Sequence, residues 1–117
     1  MARQRERDGV VYLLHFSEPY EHARHYIGFT TDLAKRLEEH QRGRSGAKLT
    51  EAAAAAGVRF QVVRTWAGDR NLERRLKKRR SAVRFCPVCA AEHGRQPVRI
   101  GYATDTNIAL DVSSRHQ

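Results

Sequence analysis

The sequence predicts an α+β domain built on a small, mainly antiparallel three-stranded sheet flanked by helices. Three observations carry this expectation. "VVYLLHF", "RHYIGF" and "VRFQVVRTW" are compact apolar, β-branched and aromatic runs of strand length. Two helical patterns separate the second run from the third. A strongly basic helical pattern follows the third, so the element order is β-β-α-(α)-β-α.

Each element has a local reason. Residues 1–9 are polar and read as a disordered N-terminal segment, and residues 10–84 as the folded domain. "SEPYEHA" between the first two strands carries a proline and predicts a hairpin with a long loop. Thr30 or Thr31 caps a helix running to about Gln41, with Asp32 favourable in its first turn and Gly43 as its stop. "GRSGAK" is a loop, and "LTEAAAAAG" is helical by alanine propensity, with a threonine start and Gly57 at its end. Asp69 caps the basic helix "RNLERRLKKRRSAV", whose buried stripe holds Leu72 and Leu76. Residues 85–117 form a C-terminal tail with the "CPVC" segment. In it "VRIGYA" and "IALDV" flank the turn-like "TDTN" as a candidate hairpin.

Composition narrows the function classes. Of 117 residues, 22 are Lys or Arg and 13 are acidic, giving a formal charge of +9 and a pI near 10.4. That balance favours an anionic partner, nucleic acid before membrane. No apolar run is long enough to span a bilayer, and "MARQRERDG" lacks the apolar core of a secretory signal. The expected location is cytoplasmic, where the two cysteines are reduced.

Several polar residues stand where chemistry is plausible, each with a plain structural alternative. Arg36 and His40 are four apart and share one helical face, beside a Leu33–Leu37 stripe that packs on the sheet. The plain alternative is a solvated face with Arg36 and His40 paired to Glu39 or Asp32. Tyr12 and Tyr26 lie mid-strand, as core aromatics do, and Gly28 implies close approach or a bulge. Glu73 precedes Lys77 by four, the spacing of an ordinary helix ion pair.

In combination and in order, these residues resemble the GIY-YIG nuclease superfamily, in its small stand-alone branch. The first signature strand is "VVY", ending on Tyr12, and the second is "YIG", Tyr26 to Gly28. Then come Arg36 and His40 in "TTDLAKRLEEH", the loop "GRSGAKL" and the late helix "LERRLK". The likeness spans Val10 to Arg80. It departs from the family pattern at the valines of "VVY" and at Leu49, where the branch has tyrosine.

The resemblance implies a hydrolase: a magnesium- or manganese-dependent endonuclease cutting phosphodiester bonds in DNA. The alternative is a non-catalytic nucleic-acid-binding module of the same fold. By carry-over, Tyr12 or its hydrogen-bonded partner activates water and Tyr26 orients the phosphate. Arg36 holds its oxygens with a planar fork, and His40 relays a proton or holds a tyrosine or phosphate. Glu73 binds Mg²⁺ or Mn²⁺. Lys48, Lys77, Lys78, Arg79 and Arg80 track the DNA backbone, remote from the metal.

"CPVC" stands apart from that likeness. Cys86, Cys89 and His93 have the spacing C-x₂-C-x₃-H, which can begin a zinc site. Three readings stand: a zinc knuckle completed by His116 or by another chain, a redox pair, or two reduced cysteines packed at the domain edge, which is the default. The tail is also where a protein partner or a second copy of the chain would dock.

Overall fold

The computed structural model describes residues 9–79 and 82–98, together with the backbone of 104–111. Arg80 and His116 lie outside the described residues. The elements are β1 (Gly9–Tyr20), β2 (Ala23–Thr30), α1 (Leu33–Gln41), α2 (Lys48–Ala55), β3 (Phe60–Gly68), α3 (Arg70–Arg79), α4 (Ala82–Phe85), α5 (Pro87–Glu92) and β4 (Thr104–Asp111). The fold is α+β, with the expected antiparallel sheet β2-β1-β3 and helices against both of its faces. β4 extends the sheet beyond β3, in the order β2-β1-β3-β4. Among the described residues, no helix is long and apolar enough to cross a membrane.

β1 is central, which explains its continuous apolar run: Val11 to Phe16 are all buried because both faces are covered. Successive side chains point to opposite faces. Tyr12, Leu14 and Phe16 join Leu37, Ala53, Phe60 and Val62 in one core layer. Val11 and Leu13 join Ile27, Trp66, Leu72, Leu76 and Phe85 in the other. Burial of this kind is worth about 1.5–3 kcal/mol for each large apolar side chain. Cys86 and Cys89 also lie in this second layer, so residues 85–89 contribute to the domain's core.

Several local expectations give way to geometry. β1 continues through Tyr20, which pairs with Ala23, so the hairpin turns on Glu21 and His22; no long loop forms, and an irregular stretch between His15 and Tyr20 absorbs Pro19. The cap of α1 is Asp32, whose carboxylate accepts the Lys35 N–H at 3.1 Å. Thr30 instead accepts the Asp32 N–H at 3.0 Å. α2 starts one residue after Ala47, which caps it without a side-chain bond, and Thr50 turns inward. Asp69 accepts the Leu72 N–H at 3.1 Å, as the sequence predicts. "TDTN" lies within β4, so it does not turn a hairpin: pairing with β3 overrides its turn propensity.

Candidate active site and metal cluster

A cleft of about 450 Å³ opens along β2, an edge strand among the described residues, where α1 and α3 approach from opposite faces of the sheet. Tyr26 from β2, Arg36 and Lys35 from α1, and Arg70 and Glu73 from α3 line it. The resemblance set is thereby gathered: Tyr12 and His40 lie directly behind Arg36 and Tyr26.

Tyr12 is the hub behind the cleft, and it is fully buried. Its hydroxyl accepts a hydrogen bond from Arg36 Nε at 3.1 Å and lies 2.7 Å from His40 Nε2. Its Cα partner across the strands is Gly28, where a side chain would collide with the phenol: an added Cβ would lie 2.4 Å from the hydroxyl oxygen. Gly28 is thus a close-approach glycine. Burial drives the Tyr12 phenol well above the usual tyrosine range, against the lowering effect of the Arg36 hydrogen bond.

His40 is also fully buried, and burial, then the Arg36 charge, lower its pKa to about 4. A neutral His40 orders the bonds into one direction. Arg36 donates to Tyr12, Tyr12 donates to His40 Nε2, and His40 Nδ1–H donates to Thr50 Oγ1 at 3.1 Å. Thr50 Oγ1 meets Ser45 Oγ at 2.7 Å, and Ser45 Oγ accepts the Ala47 N–H at 3.1 Å. The "GRSGAK" loop is therefore an anchor for the histidine.

Arg36 is held on two of its three nitrogens. Besides the Tyr12 bond, Nη1 donates to the Ser45 carbonyl at 2.6 Å and to Glu39 at 3.0 Å. Burial opposes its charge, but the bonds to Tyr12 and Glu39 outweigh that and hold its pKa above the ordinary arginine value. Tyr26 is half-buried, with its ring 5.3 Å from His40 and 6.3 Å from Tyr12.

Glu73 is buried on α3 with ion pairs to Lys77 at 3.1 Å and Arg70 at 3.7 Å. Lys77 also lies over the Tyr26 ring, 5.7 Å from its centroid. The expectation that all the basic residues after Glu73 stand remote from it fails for Lys77, because the i,i+4 spacing folds it back onto the carboxylate. Lys78 and Arg79 are exposed, and Lys48 is the exposed first residue of α2, outside the cleft lining.

Cys86 and Cys89 meet neither His93 nor one another alone. Their sulfurs converge with His15 Nδ1 and His25 Nε2, all four ligand atoms lying within 4.8 Å of one another. This corrects the candidate zinc set: His93 caps the end of α5 and is not in the cluster. His15 and His25 are Cα partners across the β1–β2 hairpin. Burial lowers both imidazoles, His25 to about 4, so both are neutral at pH 7. Burial and the Cys86 thiol push Cys89 up to about 12, so it ionises only beside a cation. The sequence offers one signal for this set: a half-motif with too few later ligands directs attention upstream, to polar residues in otherwise apolar strands.

No family model, curated protein or solved structure matches the chain.

Proposed function

We propose that the chain is a metal-dependent endonuclease that hydrolyses phosphodiester bonds in DNA, in the manner of the GIY-YIG nucleases its motifs resemble. One observation carries this reading: Tyr26, Arg36 and Glu73 open onto a single cleft, and Arg36 is fixed from behind by the buried Tyr12–His40 pair. Helix salt bridges and core tyrosines would not by themselves converge in this way.

Glu73 suits a hard divalent ion, Mg²⁺ or Mn²⁺. Its two oxygens offer about four acceptor positions, and the ion pairs to Arg70 and Lys77 leave acceptor capacity for a cation. A single carboxylate, with water and substrate oxygens, is an ordinary ligand set for Mg²⁺. Bound there, such an ion supplies Lewis-acid charge against the phosphate.

The chain's own residues then divide the work. Arg36 Nη2 has no acceptor among the described residues, so it is the edge offered to a non-bridging phosphate oxygen. Charge developing on that oxygen strengthens the contact as the phosphorus becomes five-coordinate. Tyr12 is sealed from solvent, so its part is to hold Arg36; Tyr26 is the tyrosine that meets substrate. His40 fixes the Tyr12 hydroxyl by accepting its hydrogen bond at Nε2. Lys35 and Arg70 add positive charge at the cleft mouth, and the formal charge of +9 favours encounter with DNA whatever its sequence.

The test is nicking of supercoiled plasmid by the parent and by Glu73→Gln, with Mg²⁺, Mn²⁺ or chelator. The parent should nick only with metal, and the variant should bind DNA without nicking. Metal-insensitive binding with no cleavage by the parent would make the chain a binding module instead.

A further inference from the structure

We propose that His15, His25, Cys86 and Cys89 hold a structural zinc ion, a closed Cys₂His₂ site that ties the β1–β2 hairpin to α5. The distances carry the argument. His15 Nδ1 lies 3.3 Å from His25 Nε2, 3.4 Å from Cys86 Sγ and 3.8 Å from Cys89 Sγ; Cys89 Sγ lies 3.4 Å from His25 Nε2. Zinc at about 2.0–2.1 Å from nitrogen and 2.3 Å from sulfur needs tetrahedral edges of roughly 3.3–3.4 Å between nitrogens and 3.5–3.6 Å between nitrogen and sulfur. These four separations lie within about 0.2 Å of those edges.

Hydrogen bonding alone does not account for the arrangement. An imidazole nitrogen has one in-plane lone pair or one hydrogen, yet His15 Nδ1 faces three heteroatoms at once. A common centre that all four atoms address does account for it. The ligand chemistry selects the metal: two thiols and two imidazoles with no carboxylate suit zinc and exclude the hard cations proposed for Glu73.

Position assigns the role. Protein atoms supply all four ligands, which leaves no place for water or substrate, as in structural rather than catalytic zinc sites. His15, Cys86 and Cys89 are buried, while His25 and Cys89 border a cavity of about 590 Å³ that gives a route for the metal. The Cys89 N–H also points to Cys86 Sγ at 3.5 Å, a bond that stabilises a thiolate. The ion would join strands near the start of the domain to a helix more than 60 residues on, as the separation of His25 and Cys89 shows.

The experiment is metal analysis of the purified full chain, with cobalt replacement as a second measurement. The expected result is about one zinc per chain, and for the cobalt form the intense visible bands of a tetrahedral site with thiolate charge transfer. Cys89→Ser and His25→Ala should lose the metal, while His93→Ala should keep it. Should the first two variants fail to fold, the cobalt spectrum of the parent and the His93→Ala content still decide. A parent free of stoichiometric zinc, an octahedral cobalt spectrum, or loss of zinc in His93→Ala would overturn the proposal. None of these readouts depends on cleavage, so the zinc site and the nuclease reading stand or fall separately.

Discussion

Gly28→Ala places one methyl group against the hub of the site, and its consequences can be worked from the structure. The new Cβ would lie 2.4 Å from the Tyr12 hydroxyl oxygen, 2.5 Å from Cζ and 2.9 Å from Cε1, all closer than real Cβ atoms approach. Tyr12 cannot swing aside into solvent, because it is fully buried on the central strand. Overpacking of this kind costs about 1–3 kcal/mol. Moving the phenol also strands buried polar groups, His40 above all, at about 1–3 kcal/mol more. A domain of ordinary stability, about 5–15 kcal/mol, still folds, but Arg36 no longer has the bond that sets its Nε. Urea unfolding should therefore show a lower midpoint, and single-turnover plasmid cleavage should fall well beyond the stability loss. Tyr12→Leu removes the atoms that collide, so the penalty of Gly28→Ala should shrink on that background by about 1 kcal/mol, within the usual range for touching pairs. Strict additivity of the two substitutions would refute the close-approach argument, as would an unchanged midpoint in the single variant.

Three further outcomes follow from the same geometry. Arg36→Lys should slow single-turnover cleavage by the equivalent of about 2–4 kcal/mol, because an ammonium cannot hold Tyr12, Ser45 and a phosphate together; an unchanged rate with weaker DNA binding would limit Arg36 to ground-state binding. His40 is held neutral, with its pKa lowered from 6.5 to about 4, so the unfolded chain takes up the proton first. Its contribution is complete above pH 6.5 and is lost as the pH falls through 4, by about 3 kcal/mol at 1.36 kcal/mol per pH unit; the unfolding free energy of the parent minus that of His40→Gln, followed across this window, should fall accordingly, and a flat difference would contradict it. Lys48→Gln with Lys78→Gln should weaken DNA binding on all sequences and reduce the log–log salt slope by about 0.9 for each phosphate left without its cation, whereas Lys77→Gln should alter the cleavage rate at saturation through Glu73 and Tyr26.

What is legible in the sequence follows the range of the interactions involved. The strand runs at Val10–Phe16 and Val58–Trp66 and the Leu72–Leu76 stripe can be read because burial patterns repeat within a few residues. Arg36 and His40 can be placed together because helical spacing alone puts them on one face. The cap of α1 lies one or two residues beyond the expected threonines, since Thr30, Thr31 and Asp32 are all good capping residues and only the backbone angle selects Asp32. β4 is only half legible: "IALDV" reads as a strand, but its pairing with β3 is tertiary, and "TDTN" by itself favours a turn. His15 and His25 are hidden for a related reason. Their meeting depends on the hairpin register, which turns on the two-residue Glu21–His22 connection, and on where a helix some 70 residues later docks.

That register has a consequence for the site itself. His25 and Tyr26 are neighbours on β2, so their side chains leave the strand on opposite faces. His25 turns toward Cys89 and the layer containing Leu76 and Phe85, while Tyr26 turns toward Tyr12, His40 and α1. β2 is also an edge strand of the sheet, paired on one side only among the described residues. An edge strand so placed needs fixing from the layer behind it if a substrate-facing tyrosine is to keep its position. Ile27 and the cation over the Tyr26 ring supply part of that restraint. A metal bound to His25 and its cross-strand partner His15 would supply the rest, one residue from Tyr26 and on the opposite side of the sheet. The two sites would then be chemically separate, one of hard oxygen ligands and one of soft sulfur and nitrogen, yet mechanically joined through a single peptide unit of β2.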